Sequence, residues 1–593
     1  MEERGTHSAT LADLLPRAAE MYADMPAIRF REGEEWVSRS FREVEDTVRP
    51  LALGLADLGV EKGDKVSILG NTRPEWTYFD YAALSIGAVV VPIYQTNSPE
   101  ECQYVLENSD AKVVVVEDDE QLEKVRGVRE RLPKLQHVIR MTGSSDDAIS
   151  LEDLAGRAAG GPAEWEQRWS SVTKADVCTF IYTSGTTGPP KGCVITHGNY
   201  RAMLDMINET SVVEQEDVTY LYLPLAHSFA LLVQFGSFDL GATLAYWERD
   251  PLKILPNLAE LKPTYFPSVP RIFEKIYTAA TSGMEKEGGL KKAIFDWAIR
   301  VGGRMRAAER AGRKPGFMLR RQYEFADKRV LSKIRGLFGG RLRLAVSGAA
   351  PINPDILRFF DSAGVLVLEG WGMTETSTAA TISTPEDFKV GTIGKPFPGC
   401  EIRIADDGEI LVRGPNVFQG YYKNDEATSE TIVDGWLHTG DLGSIDEDGF
   451  IKITGRKKDI IITAGGKNIT PANLENEIKQ HPLVSQCVVV GDRQPYLVAL
   501  VTLDPEEAVA YAKEHGLPED PEQLSSNPEI RKAIEGHVDA INEKFARVEQ
   551  VKKIAILPSD LSQEGGELTP TMKVKRAVVA QKHAPEIEKL YAG

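Results

Sequence analysis

Over the first 400 residues, short apolar runs alternate with longer, more polar stretches that suit helices. Lys65–Leu69, Ala88–Pro92 and Lys112–Val116 are runs of this kind. Such a repeat predicts βα units and parallel sheets. Near residue 400 the texture changes. Glu401–Ala405, Asp407-Gly408 and Glu409–Arg413 read as a hairpin about a tight Asp-Gly turn, and Asp448-Gly449 before Phe450–Thr454 reads as another. Beyond Arg456, Leu483–Val490 and Tyr496–Leu503 look like strands, Pro528–Phe545 like an amphipathic helix with Asn527 as its N-cap, and Pro518–Ser526 like a polar linker. The expected class is α/β: a large N-terminal domain of parallel βα subdomains over 1–455, including a small antiparallel β unit at about 400–455, then an α+β C-terminal domain.

Composition narrows the function classes. With 593 residues, 42% hydrophobic and 26% charged, the chain is globular, and collagen, mucin and wholesale disorder are excluded. No run of 18 apolar residues marks a membrane-spanning helix. The first thirty residues carry Glu2, Glu3, Asp13, Glu20 and Asp24 and lack an apolar core, which argues against a secretory signal. Cys102, Cys178, Cys193, Cys400 and Cys487 form no CxxC pair, so a reduced, cytoplasmic compartment is expected. A net charge of -19 argues against general nucleic-acid binding. Between Lys286 and Arg343, however, seventeen Lys or Arg face five Asp or Glu.

Chemistry is densest at Tyr182-Thr-Ser-Gly-Thr-Thr-Gly-Pro-Pro-Lys191-Gly192. Val177–Tyr182 and Cys193–Thr196 read as strands on either side of it. Gly185 and Gly188 permit close backbone approach, and the N–H groups can form an anion nest. Thr183, Ser184, Thr186 and Thr187 add hydroxyls, and Lys191 adds a point charge. That set suits a polyphosphate. It lacks the Walker spacing, and a strand rather than a helix is expected to follow. Further on, Leu342–Val346 and Val365–Leu368 read as strands joined by a helix at Pro351–Phe360. The loops Ser347–Ala350 and Glu369–Met373 would then leave one carboxyl edge, where α/β folds bind nucleotides.

The loop around Lys191 closely resembles the phosphate loop of the adenylate-forming (AMP-binding) superfamily. The resemblance extends over nearly the whole chain through Pro224-Leu-Ala-His227-Ser228, Glu369-Gly-Trp-Gly-Met-Thr374-Glu375-Thr376, His438-Thr-Gly-Asp441, Gly455-Arg456-Lys457-Lys458-Asp459 and Leu568-Thr-Pro-Thr-Met-Lys573. It implies that Gly348, Ala349, Gly370, Trp371, Gly372 and Met373 line the adenine. Thr374 would contact the α-phosphate, Glu375 hold Mg2+, Asp441 bind the ribose diol and Arg456 contact ribose and phosphate. Lys573, Lys191, Thr374 and Glu375 are the implied catalytic set, and His227 a substrate-positioning residue. A hinge at 456–459 centred on Lys458 would let the C-terminal domain, 460–593, move, bringing Gly465 and Gly466 toward a pantetheine channel. Lys457 is read as a solvated surface charge.

The resemblance implies ATP-dependent conversion of an acid to acyl-AMP, then transfer to a thiol. The long 280–340 stretch, Pro270-Arg271-Ile-Phe-Glu-Lys275 and Ser347-Gly-Ala-Ala-Pro351 resemble the long-chain fatty acyl-CoA synthetase branch, implying a long-chain fatty acid and coenzyme A. A fatty acyl-AMP ligase serving a carrier-protein thiol is the alternative. A non-catalytic binder of this fold would be expected to lose charges at Lys191, Glu375, Asp441, Arg456 and Lys573, and all five are present. In the basic 286–343 segment, Phe295, Trp297, Ile299, Met305, Phe317, Met318 and Leu319 interleave with Arg and Lys. Two readings stay open for it: peripheral contact with an anionic membrane, or salt-bridging to the acidic remainder.

Overall fold

Alternation of strand and helix yields two large sheets with parallel cores in the computed structural model, which describes residues 4–183, 189–569 and 572–592, and the backbone alone within 282–287. One sheet has nine strands, in the order Lys395–Pro396, Thr381–Ile382, Val367–Trp371, Leu344–Ser347, Tyr265–Ser268, Val218–Leu221, Thr243–Tyr246, Pro26–Glu32, Glu35–Ser40. The other has eight, in the order Gly420–Tyr421, Lys191–Thr196, Val177–Thr183, Val89–Ile93, Lys65–Leu69, Val113–Val116, His137–Arg140, Ile149–Ser150. Antiparallel strands close both margins of the first sheet and the Gly420–Tyr421 margin of the second, whose other margin, Ile149–Ser150, is parallel. The segments flanking the Gly-rich loop form an antiparallel hairpin with Thr183 opposite Lys191, so a strand does follow the loop.

The antiparallel unit forms as expected. Glu401–Ile404 pairs with Glu409–Arg413, and Trp436–Ile445 pairs with Ile451–Arg456 across the Asp448-Gly449 turn. The strands Leu344–Ser347 and Val367–Trp371 are parallel, with Ser347 beside Glu369. One expectation is corrected here. Glu369, Gly370 and Trp371 are strand, not loop, because Thr381–Ile382 pairs with Gly370 and Trp371 and continues the ladder.

From residue 461 onward the chain has hydrophobic clusters of its own. Val484–Val490, Leu497–Leu503 and Val551–Ile556 form a three-stranded sheet. The helix Pro528–Asn542 packs Ile530, Ile534, Val538 and Ile541 against it, and the Asn527 carboxamide accepts the N–H groups of Glu529 and Ile530. Pro518–Ser526 is not simply linker. Pro521–Ser525 forms a helical turn capped by Asp520, because Leu524 is drawn into the core.

The basic segment folds as the helices Gly289–Arg310 and Phe317–Ala326, followed by a π-helical turn at Asp327–Leu331. Phe295 and Ile299 pack toward the body, and Trp297 and Leu319 pack between the helices. Phe317 and Met318 stand in solvent. Arg310 pairs with Asp361 at 2.7 Å and Arg343 with Asp217, so part of the basic charge does bridge to acidic groups of the body.

One buried helix carries His227 to the site. Ser228–Leu240 is apolar nearly all round, and each fully buried Leu or Phe on it contributes about 1.5–3 kcal/mol. Its far end is fixed by Asp239, whose carboxylate receives both terminal nitrogens of Arg201 at 2.8 Å, Asn208 at 2.8 Å and the Thr6 N–H at 3.2 Å. Removing that carboxylate leaves the buried Arg201 with the Ser8 hydroxyl and only the exposed Asp205 carboxylate, at 3.0 Å, as an ionic partner. Asp239→Ala should lower unfolding free energy by about 3–5 kcal/mol in a urea titration.

Candidate active site

Segments from all the N-terminal sheets meet at the carboxyl edge beside Ser347 and Glu369. The Met373–Thr378 turn is tied in on several sides. The Met373 N–H donates to Thr376 Oγ1 at 3.0 Å, and the Thr378 hydroxyl donates to the Ser228 carbonyl at 2.8 Å. Asn416 donates to the carbonyls of Thr376 and Ala379, and the Phe418 N–H donates to the Glu375 carbonyl. Gly372 allows this fold-back: a Cβ there would lie 2.2 Å from the Thr378 carbonyl oxygen. Thr374 and Glu375 are consequently buried.

Glu375 is linked to Lys191 through an aromatic ring. The Tyr421 hydroxyl donates to Glu375 Oε1 at 2.7 Å, and the Lys191 ammonium lies 4.9 Å from the centre of the Tyr421 ring. Tyr421 is placed by pairing opposite Cys193, on the strand that begins with Lys191. Burial and the Glu375 charge push the Tyr421 hydroxyl far above its ordinary pKa, so it stays a donor.

Asp441 joins another three segments. Its Oδ2 accepts the Trp371 indole N–H at 2.9 Å, and its Oδ1 accepts Arg456 Nε at 2.6 Å. Asp441 and Arg456 face each other on antiparallel strands, so the ladder itself sets the pair. The Asp441 carboxylate, followed by Asp459 and Glu375, raises the Arg456 pKa against burial. Lys457 is not a free surface charge. It bridges Asp407 at 2.5 Å and Glu409 at 3.0 Å. Glu409 also accepts from Gly440 at 2.8 Å and meets the His438 ring at 3.0 Å, and these contacts outweigh burial and lower its pKa.

His227 caps its helix: Nδ1 accepts the Phe229 N–H at 3.2 Å, which leaves the proton on Nε2. Burial first, and the Lys573 charge second, push its pKa down to about 3. It is therefore a neutral donor at physiological pH and too weak a base for acid–base duty.

Lys573 comes from the far end of the chain. Its loop is pinned by the Thr569 N–H donating to the Lys573 carbonyl at 2.8 Å and the Lys573 N–H donating to Thr569 Oγ1 at 3.0 Å. Lys573 is exposed to solvent, although protein atoms crowd its ammonium group. Desolvation, then the Arg456 charge, lower its pKa, and Asp441 and Glu375 oppose them. Lys573 thus shares one electrostatic neighbourhood with His227, Glu375, Asp441 and Arg456.

Other expected residues lie around this centre or away from it. Gly348 and Ala349 follow the strand end at Ser347, with Ala349 held at φ 69° in the left-handed region that costs a non-glycine residue about 1–2 kcal/mol. Gly370, Trp371 and Met373 flank the turn on the neighbouring strand. Lys458 is exposed on a turn closed by the Asp459 N–H and the Arg456 carbonyl. Gly465 and Gly466 sit in an exposed hairpin whose hydrogen bonds run to Asp492 and Gln494, within the C-terminal part. Ser184, Gly185, Thr186, Thr187 and Gly188 lie outside the described residues.

A family model described as AMP-binding enzyme matches residues 15–422, and a second, described as AMP-binding enzyme C-terminal domain, matches 458–593. The chain belongs to the AMP-binding enzyme family. Within it, the long-chain-fatty-acid–CoA ligase FadD15 of Mycobacterium tuberculosis is 42% identical over 94% of this chain and 92% of its own. The human long-chain-fatty-acid–CoA ligase ACSBG2 is 31% identical over 98% and 92%. Among solved structures, Bacillus subtilis O-succinylbenzoate coenzyme A synthetase in complex with ATP and magnesium ion superposes with a TM-score of 0.68. It is 23% identical and covers 95% of this chain and 98% of that one, a likeness of fold.

The donor set of this AMP-binding enzyme suits a hard cation bridged to phosphates. Glu375 Oε2 has no hydrogen-bond partner among the described residues, and one carboxylate plus substrate oxygens is an ordinary Mg2+ arrangement. Tyr421 escaped the sequence reading, because a two-residue strand leaves no periodic signal. So did Glu369, whose carboxyl burial raises from 4.5 to about 7, opposed by the Gly391 N–H at 3.3 Å. Since the folded carboxyl holds its proton to higher pH than the unfolded one, the protein loses stability as pH rises from 4.5 to about 7. Glu369→Gln removes that loss. Its stability advantage in chemical denaturation should grow from pH 4.5 to pH 7.5, by up to about 3 kcal/mol.

Proposed function

We propose that this enzyme activates a long-chain fatty acid with ATP and then transfers the acyl group to coenzyme A. In the first step a carboxylate oxygen attacks the α-phosphorus, forming acyl-AMP and releasing pyrophosphate. In the second the thiolate sulfur attacks the acyl carbon, and AMP leaves. The observation that carries the reading is Lys573, delivered from the C-terminal domain into the cleft that holds His227, Glu375, Asp441 and Arg456. Two anions must meet in the first step, and a preorganised ammonium between them lowers that barrier. The Thr183–Gly188 loop with Lys191 holds the departing phosphates. Thr374 steadies the α-phosphate, and Asp441 takes the ribose hydroxyls while Trp371 and Arg456 fix its carboxylate. Gly348, Ala349, Gly370, Gly372 and Met373 border the adenine. His227 donates from Nε2 to the acyl carboxylate. Mg2+ at Glu375 would offset phosphate charge. The names of the similar ligases support the long-chain substrate and coenzyme A.

In the second step the domain after the 456–459 turn swings about Lys458, withdrawing Lys573 and presenting the Gly465-Gly466 loop to the pantetheine arm. The discriminating assay is AMP release over a panel of medium- to long-chain acids with and without coenzyme A. Strong coenzyme-A-dependent turnover on the longer acids is expected. Retained acyl-AMP without thioester would favour a carrier-protein acceptor, and no adenylation of any fatty acid would defeat the substrate assignment. Lys573→Ala should cut acyl-AMP formation about 100-fold or more while leaving thioester formation from supplied acyl-AMP near wild type.

No helix among the described residues is long and apolar enough to cross a membrane. The helical pair within 289–331 nevertheless suits the anionic, cytoplasm-facing surface of a bilayer. Leu290, Phe317, Met318 and Phe325 are exposed on it, and Arg321 and Arg329 lie over the rings of Phe317 and Phe325 at 5.5 and 5.6 Å. Exposed aromatics ringed by guanidinium groups match a headgroup layer. The enzyme should float with vesicles containing anionic lipid and detach in high salt, and Phe317→Ser/Met318→Ser should weaken flotation. Absence of flotation at low salt would refute membrane contact.

A further inference from the structure

The Pro270–Lys275 segment, singled out in the sequence, has no part in the site above. It opens the helix Pro270–Glu287, where Arg271 and Lys275 stand one turn apart on the same face. That face meets the C-terminal domain. Arg271 donates to Asp504 Oδ2 at 2.8 Å, with Ser485 Oγ at 3.5 Å, and Lys275 lies 3.6 Å from Glu506.

The acceptor is well prepared. Asp504 is the N-cap of the helix Pro505–His515, and its Oδ1 receives the N–H groups of Glu506 and Glu507 at 3.1 and 3.2 Å. Capping fixes the carboxylate and leaves Oδ2 facing Arg271. Ser485 is itself held, donating to Asp560 at 2.6 Å. Asp504 is largely buried, so the Arg271 pair is better shielded than the exposed Lys275–Glu506 pair. Both pairs join the parts of the chain before and after the 456–459 turn, and they exist in the arrangement that places Lys573 in the cleft.

We propose that Arg271 and Lys275 are positioning residues for the adenylation step: their ion pairs with Asp504 and Glu506 latch the C-terminal domain in the pose that delivers Lys573. The proposal rests on the acid-activating reading above and adds an energetic bias to it. The first half-reaction gains from the latch, and the second must break it. A partly shielded charge pair biases such an equilibrium without freezing it.

The test uses the full chain with each half-reaction measured separately. Pyrophosphate exchange with a long-chain acid reports adenylation, and thioester formation from supplied acyl-AMP and coenzyme A reports the second step. Arg271→Ala with Lys275→Ala should lower the exchange kcat roughly five- to tenfold, leave KM for ATP unchanged, and leave or raise the thioester rate. Arg271→Lys should retain most of the exchange rate. K275E combined with E506K should recover what K275E alone loses. The equivalent swap at Asp504 is avoided because it would remove the helix cap. Spin labels on the two domains supply a substrate-independent distance, and the double alanine variant should lose population at the short distance seen in the wild type. Unchanged exchange, or an equal fall in both half-reactions, overturns the latch. If the wild type adenylates no fatty acid, the functional reading fails, and the label distances alone decide the latch: an unshifted distribution refutes it.

Discussion

The site depends on a single carboxylate. Asp441 accepts from Trp371 on the nine-stranded sheet and from Arg456 on the last strand before the inter-domain turn, and it sits on the antiparallel unit itself. Two separately built sheets, and the strand that leads into the turn, are therefore aligned by one buried, charged group. In water such contacts would be worth little. Here the partners are fixed by ladders on both sides, so little entropy is lost on pairing, and removing water strengthens each interaction. The same logic recurs at Glu375, where Tyr421 couples the turn to the strand carrying Lys191.

Much of this was legible from the sequence, for reasons that differ along the chain. Hairpins announced themselves through Asp-Gly turns, and parallel strands through runs of β-branched residues between helices. The helix at Pro528 was legible because Asn527 and Pro528 mark its start chemically. What escaped depends on partners remote in sequence. Tyr421 gains its role from a two-residue pairing with Cys193 more than two hundred positions away. Lys457 looks like half of a solvated charge pair until the 401–413 hairpin brings Asp407 and Glu409 beneath it. Glu369 to Trp371 look like loop because the strand that extends them follows only ten residues later.

Ionisation follows the same division. His227 and Lys573 are each pushed toward neutrality by lost water, and the Lys573 charge further disfavours charge on His227. The imidazole, the weaker base, gives way. Glu375, Asp441 and Arg456 surround the ammonium with a nearly balanced set of charges. One positive charge is thus held among these groups without a dedicated counter-ion.

That charge is carried by a module with its own hydrophobic clusters, joined to the rest through a turn a few residues long. The short tether works as a concentration. A lysine confined within reach of the cleft by so brief a link experiences an effective molarity on the order of millimolar or higher, whatever the amount of enzyme present. The contacts between the two parts can therefore be individually weak and the ammonium still be held near its neighbours.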